Sequence, residues 1–144
     1  MSAYSHAFSQ AIEILLYIHF KSSEKKYSYL STSVMSKGLN IPVPTLNKVL
    51  TKLKNAQLLV SKAGPTGGVA LNKSIDEVTL MEVFLAIENE NHLFSIHKKF
   101  NREVLYETEI LDEITNNGIR VLNEAENSMH DVLKQYYLAD LLPK

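Results

Sequence analysis

The chain contains no cysteine and no tryptophan among its 144 residues. Without thiols it can form no disulfide, and it offers no thiol nucleophile or thiol redox switch. All-cysteine zinc and iron–sulfur sites are excluded for the same reason. The absence of cysteine is compatible with a reducing compartment.

Long apolar runs are also missing. The longest stretches, such as residues 14–18, are far too short to span a bilayer. The first ten residues hold no basic segment followed by an apolar run, so we expect no signal peptide and a cytoplasmic location. With 45% hydrophobic residues the chain can form a core, and its length suits one domain or a small domain with an extension.

Negative charge is scarce in the N-terminal half. Residues 1–75 contain nine lysines against two glutamates, a net charge of +7, whereas residues 76–144 contain six basic and fourteen acidic residues, a net charge of −8. A basic half attracts polyanions and an acidic half repels them. The asymmetry therefore predicts a chain that presents one end to nucleic acid, with a chance fluctuation in lysine use as the alternative.

Hydrophobic spacing predicts three helices in the basic half. The first covers about residues 4–20, and a short second helix runs from Ser28 or Ser31 to about residue 36, with Asn40 suited to end it. The third runs over Pro44–Ala56, with proline at its first position. One stripe of this helix is apolar, and its other positions are basic or small and polar; the stripe consists of Leu46, Val49, Leu50 and Leu53.

A hairpin and two further helices are predicted after these. Residues 58–62 and 69–71 predict two strands joined by a glycine-rich turn, and residues 21–27 and 89–103 predict polar connections. Thr79–Glu82 is a capping box that opens a helix to about residue 88. A long helix is predicted over about residues 104–136, although Asn116–Gly118 leaves its continuity open.

The order helix, helix, turn, helix and hairpin is that of a winged helix-turn-helix domain. In that fold the third helix enters the major groove, where base edges differ in donors and acceptors. Lysines of this helix can neutralise phosphates, and its short polar side chains can reach base edges. A solvated amphipathic helix and an ordinary tight turn are the alternatives. The predicted DNA-binding residues are Pro44, Thr45, Asn47, Lys48, Thr51, Lys52, Lys62, Thr66 and Gly67.

Two segments resemble the Rrf2 family of bacterial transcription regulators: residues 58–71, LLVSKAGPTGGVAL, and residues 78–88, VTLMEVFLAIE. The resemblance covers nearly the whole chain. The stretch His92–His97 looks more like a cluster-free branch of the family, close to the YwnA-type proteins. It implies a homodimeric repressor at a palindromic operator. Pro44 stands where the family often has serine, and Ala63 where it often has an arginine for the minor groove. No iron–sulfur cluster is expected, because the three cysteines of cluster-bearing members are absent.

The predicted organisation is a DNA-binding domain at 1–88, a connecting loop at 89–103 and a C-terminal dimerisation helix with its tail at 104–144. The resemblance implies that the long helix crosses to a second copy; the alternative is that its stripe packs on its own domain. The predicted dimer residues are Leu111, Ile114, Val121, Leu122, Ala125, Met129 and Val132.

No catalytic constellation is visible, so we expect no enzyme. His92 and His97 lie near Glu88 and Glu90 but lack a third compelling ligand, so neither metal nor cofactor is predicted. The expected partners are double-stranded DNA, a second copy of the chain and an unidentified small-molecule effector, with no membrane. The alternative function is an interaction adaptor that keeps the fold without binding DNA.

Overall fold

The computed structural model describes residues 6–23, 28–89, 93–94, 96–97, 99–104 and 107–144. In chain order these residues form α1 (Ala7–Ser23), α2 (Thr32–Leu39), α3 (Val43–Asn55), β1 (Leu59–Lys62), β2 (Gly68–Leu71), α4 (Leu80–Glu88), α5 (Thr108–Gln135) and a 3₁₀ turn (Leu138–Leu141). This is the predicted order of a winged helix-turn-helix. No helix in this described part is both long and apolar enough to cross a membrane.

Local capping signals set the ends of the short helices. The Ser31 hydroxyl accepts a hydrogen bond from the Val34 N–H at 3.2 Å, so Ser31 and not Ser28 begins α2. Asn40 ends it in the left-handed conformation, with φ 54°. Pro44 occupies the second position of α3 and not the predicted first, because the helix begins at Val43.

The first helix extends further than its composition predicts. It continues through Lys21 to Ser23, where a polar loop was expected from residue 21. Lysine is a good helix former, so a polar composition does not by itself end a helix at Lys21. The Ser23 hydroxyl donates to the carbonyl oxygen of His19, one turn earlier, at 2.8 Å. The predicted start before residue 6 and the rest of the expected loop, residues 24–27, lie outside the described residues.

The core forms between α1, α3, α4 and the inner face of the hairpin. Ile14, Leu46 and Leu53 are fully buried there, and Phe84 is nearly so. The C-terminal end of the chain returns to this core: Leu138 is fully buried, and its N–H donates to the carbonyl oxygen of Val78 at 2.9 Å. The 3₁₀ turn after α5 therefore packs against the same core as α1, α3 and α4.

A single β-bridge joins the hairpin to Leu30, which lies two residues before α2. Leu30 and Val69 exchange two backbone hydrogen bonds of 2.9 Å each, which places residue 30 beside β2. At Gly68 the backbone has φ +142°, and a Cβ there would collide with the Leu30 carbonyl oxygen. Only glycine satisfies both constraints, so this residue joins the wing to the start of α2.

α5 is one continuous helix of 28 residues that runs through Asn116–Gly118. A single internal glycine costs roughly 1 kcal/mol, which the long helix tolerates. Within α5, which is described throughout, Glu126 is the one buried residue. Near its start, Arg102 donates from Nη1 to Asp112 Oδ2 at 3.2 Å, and this hydrogen bond lowers the pKa of the Asp112 carboxyl.

Candidate nucleic-acid interface

The apolar stripe of α3 faces the core and thereby turns the polar face outward. Leu46 and Leu53 are fully buried on one side of the helix, while Asn47, Lys48 and Thr51 are exposed on the other. The Thr51 hydroxyl donates to the Asn47 carbonyl oxygen at 2.8 Å, so its own oxygen remains able to accept. The ammonium of Lys48 forms no hydrogen bond or ion pair with any described residue.

Two further predicted residues lie at the start of α3. Pro44 is exposed and Thr45 is half-buried. The first turn of α3 and its outer face are therefore accessible from the same side. A recognition helix contacts base edges with residues at these positions.

Lys52 has a different environment from Lys48. Its Nζ donates to the carbonyl oxygen of Ile87 at 3.1 Å, in the last turn of α4. The last carbonyl groups of a helix lack intrahelical partners and carry partial negative charge, so a cation is stabilised there. The ammonium of Lys52 thus holds α4 against α3, and a phosphate contact by Lys52 would require exchange of this bond.

The wing presents its tip to solvent. Lys62, Ala63 and Thr66 are exposed, and Gly67 is half-buried. The Gly67 N–H donates to the Gly64 carbonyl oxygen at 3.0 Å and closes the turn. The tip therefore combines one lysine and one hydroxyl with backbone that other molecules can approach closely.

Tyr29 belongs to the same surface, and sequence reasoning did not identify it. The Lys62 Nζ lies 5.7 Å from the centre of the Tyr29 ring. Both residues line a groove of about 630 Å³ between the wing and the start of α2. Tyr29 lies in a bend directly before the bridged Leu30, and no sequence pattern signals its contact with Lys62.

The lysines of this surface face no carboxylate from their own segment. Residues 28–75 contain no aspartate or glutamate, and Lys48, Lys54 and Lys62 are exposed. Beyond the wing, Lys73 lies 3.6 Å from Glu82. The outer face of α3 and the wing therefore form a cationic surface, called here the basic face.

The predicted dimer residues lie on α5 with unequal exposure. Ile114, Val121 and Val132 are exposed by 60%, 54% and 51%, and Ala125 is also exposed, whereas Leu111, Leu122 and Met129 are half-buried. Ile110, which sequence reasoning left out, is 58% exposed and precedes Ile114 by one turn. An apolar row exposed along a helix is typical of a protein–protein contact.

Comparison with known proteins gives the family. The model of the Rrf2 family, described as an iron-dependent transcriptional regulator, matches residues 4–144. The chain belongs to the Rrf2 family. The predicted family and fold are thus confirmed, and a member of this family is a transcriptional regulator and not an enzyme.

Individual relatives agree with this family. YwnA of Bacillus subtilis (strain 168), a candidate HTH-type transcriptional regulator, is 27% identical over 125 residues, which cover 83% of this chain and 93% of YwnA. YffB of Lactococcus lactis, of the same description, is 29% identical over 103 residues, which cover 65% of this chain and 66% of YffB. The fold matches a candidate transcriptional regulator from Lactobacillus plantarum with a TM-score of 0.75 and 16% identity, covering 94% of this chain and 87% of that one.

Iron, which the Rrf2 description mentions, does not fit the residues of this chain as a thiolate-held cluster. The chain has no cysteine at all. Among the described residues no group of three or more histidine, aspartate or glutamate side chains could hold a metal ion. The sequence places His92 and His97 near Glu88 and Glu90. Of these four residues, His92 and Glu90 lie outside the described part of the structure.

Proposed function

We propose that this Rrf2 regulator is a DNA-binding repressor that acts as a homodimer on a palindromic operator. The observation that carries the proposal is the basic face, where exposed lysines are not neutralised by carboxylates of their own segment. Lysine contacts to phosphates release counterions and supply most of the affinity for a duplex. Occupancy of a binding site by the dimer would then exclude the transcription machinery.

In the proposed complex, α3 lies in the major groove. Thr45 and Asn47 read base edges, since an asparagine side chain can both donate to and accept from adenine. Lys48 contacts a phosphate, because it is exposed and its ammonium has no partner among the described residues. Pro44, Thr51 and Gly67 lie close to the duplex, while Lys52 mainly supports the helix through its bond to Ile87.

The exposed row on α5 is the proposed dimer contact. Ile114, Val121 and Val132 repeat along one side of the helix and stay more than half exposed in a single chain. An isologous pairing of two such helices buries the same row twice around a two-fold axis. The two copies of α3 would then address half-sites about one turn of DNA apart, which requires a palindromic operator.

The predicted domain organisation is part of this proposal. Residues 1–88 bind DNA, residues 104–144 form the dimer, and residues 89–103 connect the two. We propose that the regulator carries no resident cofactor, because thiolate ligands are absent. A small molecule held between the DNA-binding half and α5 would be its signal.

The decisive experiment is selection of bound fragments from the source genome, followed by sequencing and a salt titration of the selected duplex. We expect an enriched palindromic site and an affinity that falls steeply with salt. The double variant Lys48→Glu with Lys52→Glu should lose the operator in a gel shift at moderate salt and remain dimeric. Absence of any binding at low salt would instead support an adaptor that has lost DNA binding.

A further inference from the structure

The groove between the wing and the start of α2 is lined by Lys62 and Tyr29, and neither residue belongs to the hydrophobic core. Lys62 is exposed and Tyr29 is half-buried. The Lys62 Nζ lies 5.7 Å from the centre of the Tyr29 ring. At that distance the ring attracts the ammonium through its quadrupole and limits the positions that the long side chain adopts.

Strand register explains how these side chains meet. Lys62 pairs with Gly68 across the hairpin, and on the other edge of β2 Val69 is bridged to Leu30. Successive residues of a strand point to opposite faces, so Lys62 and Gly68 share the outer face of the hairpin, opposite the buried Val69. Tyr29 lies in the bend before Leu30, and its contact with Lys62 places its ring on the same outer side. Because Gly68 has no side chain, the stem of Lys62 can cross β2 towards the ring.

Hydroxyl groups complete the groove. Ser28, Ser31 and Thr66 line it together with Lys62 and Tyr29, and its volume is about 630 Å³. The Ser31 oxygen accepts from the Val34 N–H, so the Ser31 proton is left to donate outward. A cation among hydroxyl donors, with no acidic side chain in the lining, matches the oxygens of a phosphate.

We propose that this groove holds one phosphodiester of the DNA backbone, that Lys62 neutralises it and that Tyr29 positions the Lys62 ammonium. The proposal rests on the proposed function, since it assigns the groove to the same duplex that α3 reads. Lys62 then contributes affinity without base specificity, and Tyr29 acts as a positioning residue. The wing thus contacts the backbone through Lys62, although Ala63 offers no arginine to the minor groove.

The test uses the full chain and its selected operator, with binding measured by fluorescence anisotropy between about 50 and 200 mM salt. Lys62→Met should reduce the slope of log affinity against log salt by about 0.9 per lost contact, or about 1.8 for a dimer. Affinity at 0.1 M salt should fall about eightfold per contact. Lys134→Met, which removes an exposed lysine from α5, is the matched control and should change neither quantity.

Tyrosine variants separate positioning from charge. Tyr29→Leu keeps every charge, so the salt slope should stay unchanged while affinity falls about two- to fivefold per protomer. Tyr29→Phe keeps the ring and should bind like the natural chain. Thermal unfolding of each variant checks that the fold is intact. A salt slope for Lys62→Met equal to that of Lys134→Met would overturn the proposal, and so would natural affinity in Tyr29→Leu.

Two further measurements locate the phosphate. Neutral methylphosphonates placed singly along the operator should include one position whose effect disappears in Lys62→Met. If inorganic phosphate binds the natural chain but not Lys62→Met, while both bind DNA equally, the groove holds a free anion and the proposal is wrong. If Lys48→Met weakens operator binding and Lys62→Met does not, the proposed function stands and the groove assignment alone fails. If no duplex binds, both fail.

Discussion

The Lys52 ammonium lies 3.1 Å from the Ile87 carbonyl oxygen, and this hydrogen bond joins α3 to the last turn of α4. A groove of about 560 Å³ lies beside it, lined in part by Asn55 and Asn89. α4 contacts both α3 and α5, so it lies between the proposed DNA-reading helix and the proposed dimer helix. Lys52 therefore supports the position of α3, whereas Lys48 is left for a partner outside the chain.

Lys52→Met should consequently affect the stability of the fold, whereas Lys48→Met should affect DNA binding. Lys52→Met removes the cation at the end of α4 and should lower the free energy of unfolding by about 1 kcal/mol. Lys48→Met should leave unfolding unchanged and reduce the salt slope of DNA binding by about 0.9 per protomer. Urea denaturation and anisotropy titration measure the two quantities. Equal stability of both variants would show that the bond to Ile87 contributes nothing.

Gly68→Ala should destabilise the chain far more than Gly64→Ala. Both glycines have positive φ, +142° for Gly68 and +99° for Gly64, so alanine is strained at either position. A Cβ at Gly64 meets no atom within 4 Å, whereas one at Gly68 collides with the Leu30 carbonyl oxygen.

We expect a loss of about 1–2 kcal/mol for Gly64→Ala and more than about 3 kcal/mol for Gly68→Ala, as strain and displaced backbone add. Thermal unfolding followed by circular dichroism measures both. Similar losses of stability in the two variants would mean that the backbone at the bridge between Leu30 and Val69 can shift at little cost in free energy.

Local signals made much of the fold predictable. The Ser31 cap, the left-handed Asn40 and the stripe of α3 each depend on residues within one or two turns, so their chemistry is readable in the chain itself. The two short strand candidates and the glycine-rich turn between them in residues 58–71 likewise predict the hairpin. The end of α1 was predicted too early, because a polar composition alone does not end a helix and lysine is a good helix former.

The contacts that refine the site were not predictable in this way. Lys52 and Ile87 are 35 residues apart, and Tyr29 meets Lys62 only after Leu30 has paired with Val69. Such pairs depend on tertiary packing and leave no periodic pattern in the sequence. The continuity of α5 was equally open, because one glycine weakens a helix without deciding where it ends.

Glu126 should hold the backbone of Leu93 against α5. It is 4% exposed, and its Oε1 accepts the Leu93 N–H at 3.0 Å. The same oxygen lies 3.9 Å from Nε2 of His130. Glu126→Leu removes the acceptor and should cost about 1–3 kcal/mol, since a partly buried donor is left unpaired.

Glu126→Gln keeps a carbonyl oxygen at this position and should retain most of the bond to Leu93. Hydrogen exchange at the Leu93 amide is the sensitive measurement: we expect faster exchange in Glu126→Leu and near-natural exchange in Glu126→Gln. Unchanged protection in the leucine variant would contradict the assigned role.

Val121→Glu should dissociate the proposed dimer. Val121 is 54% exposed at the middle of the apolar row on α5, so a two-fold contact would bring the two new carboxylates together. Loss of two buried valines alone, at roughly 1.5–3 kcal/mol each, weakens the dimer by about 100-fold or more. Asn123→Glu adds the same charge on the opposite side of the helix and should leave the dimer intact. Sedimentation equilibrium distinguishes the two variants, and a Val121→Glu protein with the mass of the natural assembly would place the dimer contact elsewhere.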